Sequence, residues 1–187
     1  MSLYNRLCYV TFTVNNDEEN TVPIGRWLYE AVIYSSMPIL IILVSKALYP
    51  RLWLKDYPEP IQKAAAAMSK REKIIKRLLD VPLMIIKVGY PVFSAFVYKA
   101  VMRQAYDLWF GFVHLILLFG VLIIINLVLV DGLIVCALTP RFVIIKGTEH
   151  LKSEYKNFTF YIKKALGDFG LSVLISALVT GMLVRLS

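Results

Sequence analysis

The sequence predicts an all-α, polytopic integral membrane protein with four transmembrane helices and two cytosolic amphipathic helices. The chain of 187 residues is 58% hydrophobic and has a mean hydropathy of +0.65, which is more apolar than a typical soluble protein. Its 108–138 stretch is apolar from Leu115 to Val130 apart from Asn126, and crossing a bilayer takes about 20 apolar residues. The basic residues cluster beside the apolar runs, as expected next to anionic lipid.

The chain begins with a polar lead, residues 1–26, which has neither the long apolar core nor the cleavage site of a signal peptide. Tyr9–Val14 alternates between apolar and polar residues, which is the pattern of a β-strand. The one candidate partner, Phe142–Lys146, falls across the membrane in the predicted topology. A short interfacial segment is therefore an equal alternative.

The first span is expected at about 27–49. Pro38 lies at its middle and removes one helix hydrogen bond, which predicts a kink. Glu30 and Lys46 lie within one turn of its two ends. We expect both side chains to extend to the nearest interface.

The connector that follows predicts an amphipathic helix over residues 61–80, with lysines and arginines covering much of its surface. Such a helix next to a span usually lies on the anionic cytoplasmic leaflet. Its alanine-rich stretch, residues 64–69, suggests packing against another helix as an alternative. The second span is expected at about 81–102, where Gly89 and Pro91 predict a kink or local unwinding.

The third span covers 108–138, and its end is left open between Val130 and Leu138. Thr148 is a plausible N-cap for a second interfacial helix over 149–165, which has an apolar stripe flanked by lysines. The fourth span is expected at about 166–186. It carries small residues at spacings of four, which favour close helix packing within or between subunits: Ser172, Ser176, Ala177, Thr180 and Gly181.

The distribution of lysine and arginine predicts the orientation. Connectors 50–80 and 139–165 contain fourteen of these residues, against four in the lead, the 103–107 turn and the C-terminal end. The positive-inside rule places the connectors in the cytosol and both termini outside it, with a cytoplasmic (plasma) membrane as the expected location.

One predicted binding or transport site contains Lys87 and Asp131. Lys87 lies about 9 Å inside the second span at a rise of about 1.5 Å per residue. Asp131 lies at a similar depth if the third span continues to Leu138, and a short turn makes the two spans neighbours. Pairing would lower the cost of burying either charge, so we predict that they face each other inside the bundle, with Asn126 nearby. In the alternative interpretation, the side chains of Lys87 and Asp131 do not meet, and each is solvated on its own at the membrane boundary.

A second candidate polar cluster lies near the other end of the bundle, where Glu30, Lys99 and His114 are at similar levels; independent contacts with water or headgroups are the alternative. Asp131, Glu149 and His150 form only a weak metal-site candidate, because adjacent helical residues point about 100° apart. No metal and no cofactor are therefore predicted.

Catalytic motifs such as GxSxG, HExxH and a Walker loop are absent from the sequence. The net charge of +8 favours anionic lipid as a partner; no nucleic acid partner is predicted, because no recognition motif accompanies the charge. The sequence leaves three functions open. They are ion or small-solute transport by a homo-oligomer, a non-catalytic accessory or regulatory membrane subunit, and an enzyme acting on a lipid headgroup.

Overall fold

The computed structural model describes residues 11–12, 22–102 and 107–185, and helices dominate this part of the chain. Two short strands, Thr11–Phe12 (β1) and Val22–Pro23 (β2), pair in antiparallel fashion. The rest of the predicted strand Tyr9–Val14 lies outside the described residues. Phe142–Lys146, the partner considered for it, forms turns and a bend instead of a strand.

Four helices are long and apolar enough to cross a membrane, in agreement with the predicted count: Ile24–Leu48, Lys70–Ala100, Leu108–Leu138 and Phe158–Arg185. The regular helical elements are α1 (Ile24–Leu48), α2 (Glu59–Ala64), α3 (Lys70–Met84), α4 (Tyr90–Met102), α5 (Leu108–Ile125), α6 (Lys152–Tyr155) and α7 (Phe158–Arg185). Two π-helical stretches, the first π segment (Ile85–Gly89) and the second π segment (Asn126–Leu138), continue α3 into α4 and extend α5. Short 3₁₀ helices occupy Pro50–Asp56 and Glu149–Leu151.

The predicted helix over 61–80 is wrong as a single element. Helix α2 ends at Ala64, and a new helix begins at Lys70 and runs directly into the second long helix. Ser69 and Glu72 form a capping box that starts this helix: the Ser69 hydroxyl accepts from the Glu72 amide at 3.2 Å, and the Glu72 carboxylate accepts from the Ser69 amide at 2.7 Å. The Arg51 guanidinium donates to the carbonyls of the intervening alanines. Local capping therefore overrides the helix propensity of the alanine run.

The predicted helix over 149–165 is also divided. Helix α6 ends at Tyr155, and α7 then runs without interruption from Phe158 to Arg185. The Asn157 side chain accepts from the Phe160 amide at 3.3 Å and caps this long helix. Thr148 makes no capping bond; its hydroxyl donates to the Ile145 carbonyl at 2.8 Å. The apolar stripe predicted for an interfacial helix is therefore partly the first two turns of the last long helix.

Residues 49–69 and 139–157, which we call the connector layer, pack on each other at one end of the bundle. The rings of Tyr57 and Tyr155, both fully buried, lie 5.1 Å apart. The Tyr57 hydroxyl donates to the Val143 carbonyl at 3.3 Å, and the Ile145 amide donates to the Tyr155 hydroxyl at 3.0 Å. These bonds satisfy backbone groups that have no partner in a regular helix.

The first π segment lies where the sequence predicts local unwinding. Pro91 has no N–H, so the carbonyl of Lys87, four residues earlier, loses its helical donor. The Tyr34 hydroxyl of α1 replaces it, donating to this carbonyl at 2.7 Å. The break is therefore held by a hydrogen bond from a neighbouring helix.

The third long helix continues past Val130 and ends at Leu138, which answers the question that its sequence leaves open. Thr139 takes a left-handed conformation with φ of 41°, and its amide donates to the Ile134 carbonyl at 2.9 Å. Pro140 follows and prevents a return to helix. The continuation brings Asp131 inside the bundle, where it is 3% exposed.

The small residues of α7 divide into two sets. Ser172, Ser176 and Thr180 are buried within the chain, on a helix that packs mainly against α5. Ala177 is exposed, and a Cβ added at Gly181 would meet no atom within 4 Å. Within the chain, Ser172, Ser176 and Thr180 therefore contribute to helix packing, whereas Ala177 and Gly181 do not.

Candidate functional site

Asp131 forms its ion pair with Lys46, not with Lys87 as predicted. The Lys46 ammonium and the Asp131 carboxylate lie 3.4 Å apart, and each side chain is 4% exposed. The second carboxylate oxygen accepts from the Asn126 amide at 3.2 Å. The expectation that Lys46 extends to an interface is also wrong, because α1 packs closely on the third long helix and presents this lysine to Asp131.

Aromatic rings of the connector layer close over the Lys46 ammonium. It lies 5.9 Å from the centroid of the Trp53 ring and 5.4 Å from that of Tyr57, where the ring faces attract a cation. The Trp53 indole N–H donates to the Ser45 hydroxyl at 3.0 Å and fixes the ring. The two rings therefore cover the Lys46 ammonium on the side of the connector layer.

A cavity of about 200 Å³, which we call the connector cavity, adjoins this pair. Phe119 and Leu122 of α5 and Ile175 of α7 form part of its apolar wall. Lys87 and Asp131 line the same cavity, although they do not form an ion pair with each other. The polar lining consists of Lys87, Asn126, Asp131, Lys164, Asp168 and Ser172.

The π segments supply half of this polar lining. Lys87 comes from the first, and Asn126 and Asp131 come from the second. A π turn changes which side chains face the bundle and leaves backbone groups differently paired, and such turns are frequent at functional sites. Both irregular segments therefore converge on one charged cavity.

A second ion pair connects the connector layer to α7 beside the cavity. The Lys164 ammonium lies 2.8 Å from the Asp56 carboxylate. Burial acts to raise the pKa of Asp56, but the Lys164 ammonium outweighs this effect and holds the pKa below its ordinary value. Neither residue was predicted as part of a site, and no local sequence pattern connects two positions so far apart in the chain.

The other polar cluster lies toward the opposite end of the bundle. The Glu30 carboxylate accepts from the hydroxyls of Ser94 at 2.5 Å, Tyr90 at 3.2 Å and Tyr98 at 3.2 Å, and it lies 3.7 Å from Nε2 of the fully buried His114. The structure thus joins Glu30 and His114, whereas Lys99 donates to the Leu183 carbonyl.

This Glu30 cluster borders a cavity of about 230 Å³, the terminal cavity, between α1 and α4. The predicted extension of Glu30 to an interface is not what the structure shows, because its oxygens are occupied by three hydroxyls. Apolar side chains of α5, among them Leu115 and Leu118, are fully buried in the bundle.

The three weak metal candidates do not come together. Asp131 is buried in the bundle, whereas the Glu149 carboxylate accepts from the Gly147 amide in an exposed part of the connector layer, and His150 is exposed. Across residues 22–102 and 107–185, no group of three or more histidine, cysteine, aspartate or glutamate side chains could hold a metal ion.

Comparisons with known proteins add no assignment: no family model, no curated protein and no solved structure matches the chain. A function is therefore inferred from the geometry of the polar sites in the bundle, the connector cavity first among them.

Proposed function

We propose that this protein is an integral membrane transporter or channel for an ion or a small charged solute, and that the connector cavity is its substrate site. The observation that carries the proposal is the buried Lys46–Asp131 pair beside a charged cavity built from two π segments. Ionisable residues within membrane helices are costly and usually mark substrate or ion pathways. Transporters commonly form their sites at breaks in helices, as the two π segments do here.

The arrangement of the two cavities supports a transport pathway. Lys46 and Glu30 are sixteen residues apart on α1, which corresponds to about 24 Å along a helix. Buried apolar side chains of α5, among them Leu115 and Leu118, would form the layer that closes the path between the cavities. Alternating access requires such a closed layer, which opens when one part of the bundle rocks against the other.

The distribution of basic residues supports the orientation. Under the positive-inside rule, the connector layer faces the cytosol and both termini lie on the other side. In this arrangement the connector cavity is the cytosolic one. The basic groups of the connectors then face anionic lipid headgroups, each contributing about 1 kcal/mol of attraction.

A flux assay in proteoliposomes tests the proposal. Purified protein is reconstituted, and uptake is followed for H⁺, Na⁺, K⁺, Cl⁻ and a mixture of labelled amino acids and phosphorylated amines. We expect flux of at least one of these solutes above that of protein-free liposomes, and a loss of at least tenfold with Asp131→Asn.

Lys63→Met is the matched control, because Lys63 forms an ion pair with Glu59 at 2.7 Å on the surface, where its side chain is 75% exposed. This variant should keep full flux. Background flux for every solute, or equal flux in wild type and Asp131→Asn, would contradict the proposal.

A further inference from the structure

Two opposite charges in the connector cavity have no ion-pair partner. Lys87 and Asp168 both line it, and among the described residues neither has an oppositely charged group within 4.0 Å. Asp168 is nevertheless close enough to attract Lys87 electrostatically. The ammonium and the carboxylate thus face one space without neutralising each other by contact.

The neighbouring charges are already neutralised. Lys46 is paired with Asp131 at 3.4 Å, and Lys164 with Asp56 at 2.8 Å. Among the described residues, a ligand in the cavity therefore meets a cation, Lys87, and an anion, Asp168, neither of which is engaged in a contact ion pair. A simple anion at Lys87 would be repelled by the Asp168 carboxylate, and a simple cation at Asp168 would be repelled by the Lys87 ammonium.

The size and the walls of the cavity limit the ligand further. Its volume of about 200 Å³ is below the range of roughly 300–1,000 Å³ for drug-sized ligands. Asp168 is exposed and Leu171 is 59% exposed, so the cavity opens at the outer surface of the bundle. A small polar group fits it, and an attached apolar chain would leave through this opening.

We propose that the connector cavity binds a zwitterion, with an anionic phosphate or carboxylate at Lys87 and an ammonium group at Asp168. This inference rests on the proposed function, whose substrate class it names. Phosphoethanolamine has the required chemistry, either as a free solute or as the headgroup of a lipid.

Binding of free compounds tests the charge requirement. Full-length protein in detergent is titrated with phosphoethanolamine, ethyl phosphate and ethylamine, which share one skeleton and differ in charge, by calorimetry and by the shift of the thermal midpoint. We expect phosphoethanolamine to bind at least tenfold more tightly than either singly charged compound. Lys87→Met and Asp168→Asn should each weaken it at least tenfold, whereas the exposed-pair controls Lys63→Met and Glu59→Gln should not.

An experiment with lipids distinguishes a lipid headgroup from a free solute as the source of the zwitterion. The protein is placed in nanodiscs that contain equal amounts of phosphatidylethanolamine and phosphatidylglycerol, and retained lipid is identified by native mass spectrometry. Selective retention of phosphatidylethanolamine, lost in both cavity variants, assigns a lipid headgroup. Binding of free phosphoethanolamine without lipid retention assigns a soluble zwitterion.

Three results would overturn the inference: ethyl phosphate binding as tightly as phosphoethanolamine, unchanged binding in the two cavity variants, or no binding from either source. The charge-exchanged variant Lys87→Asp/Asp168→Lys guards against misfolding, since it should recover part of the binding that each neutral variant loses. If the protein binds the zwitterion but shows no flux, the transport proposal is wrong and the zwitterion site stands. If the protein transports another solute but does not bind the zwitterion, the zwitterion site is wrong and the transport proposal stands.

Discussion

Removing one member of the buried Lys46–Asp131 pair should cost far more than removing both. Asp131→Asn leaves an ammonium that is 3% exposed without its carboxylate. Lys46→Met leaves the carboxylate with Asn126 alone. Breaking a buried ion pair in this way costs about 3–5 kcal/mol. The double variant removes both charges, and replacing a whole buried pair by neutral groups is often close to neutral.

A double-mutant cycle measures this coupling. The free energy of unfolding is obtained by titrating sodium dodecyl sulfate into mixed detergent micelles for the wild type, Lys46→Met, Asp131→Asn and the double variant. Two single losses of about 3–5 kcal/mol and a near-neutral double variant correspond to a coupling energy of about 6–10 kcal/mol in magnitude, above the usual range of about 0.5–3 kcal/mol for residues in contact. Lys87→Met combined with Asp131→Asn is the matched control, since Lys87 shares the cavity with Asp131 but forms no ion pair with it. Additivity within about 0.5 kcal/mol for the Lys46–Asp131 cycle would refute the reasoning.

Three further predictions follow from single contacts. Asp56→Asn should lower the thermal midpoint at pH 7, because the pKa of Asp56 is lower in the folded than in the unfolded protein. Its difference from wild type should begin to shrink as the pH falls below about 4 and vanish below the lowered pKa of the folded protein; a pH-independent difference would contradict this. Tyr34→Phe should cost about 1–3 kcal/mol of unfolding free energy, since it leaves the Lys87 carbonyl without its donor, and an unchanged value would count against it. Ser176→Leu should destabilise the protein in detergent, whereas Gly181→Leu should not, because only Ser176 is enclosed by the chain; equal thermal midpoints would disprove this difference.

The long apolar helices could be predicted because their signal is local. Leu108–Leu138 is recognisable from composition and length. The connector helices could not be bounded in the same way, since their breaks depend on particular side-chain bonds. The capping box at Ser69 and the Asn157 cap each decide where a long helix begins, and the apolar periodicity on either side does not reveal this.

The sequence indicated which charged residues lie in the bundle interior, but it did not indicate which of them form ion pairs. Lys87 and Asp131 were expected in one interior space, and both line the connector cavity. The partner of Asp131 could not be inferred, because Lys46 lies 85 residues away in sequence and reaches it only through the packing of α1 on the third long helix. The Asp56–Lys164 pair depends in the same way on the fold of the connector layer.

Thiol accessibility tests most directly whether the charged connector cavity is open to small solutes. In a background where Cys8 and Cys136 are replaced by serine, Ser172→Cys places a thiol in the connector cavity and Ser176→Cys places one in the buried packing of α7. A small, impermeant methanethiosulfonate reagent is applied to inside-out and right-side-out vesicles. We expect labelling of Ser172→Cys in inside-out vesicles alone, with Ser176→Cys unlabelled in both. Labelling of Ser172→Cys from neither side, or equal labelling of the two variants, would contradict it.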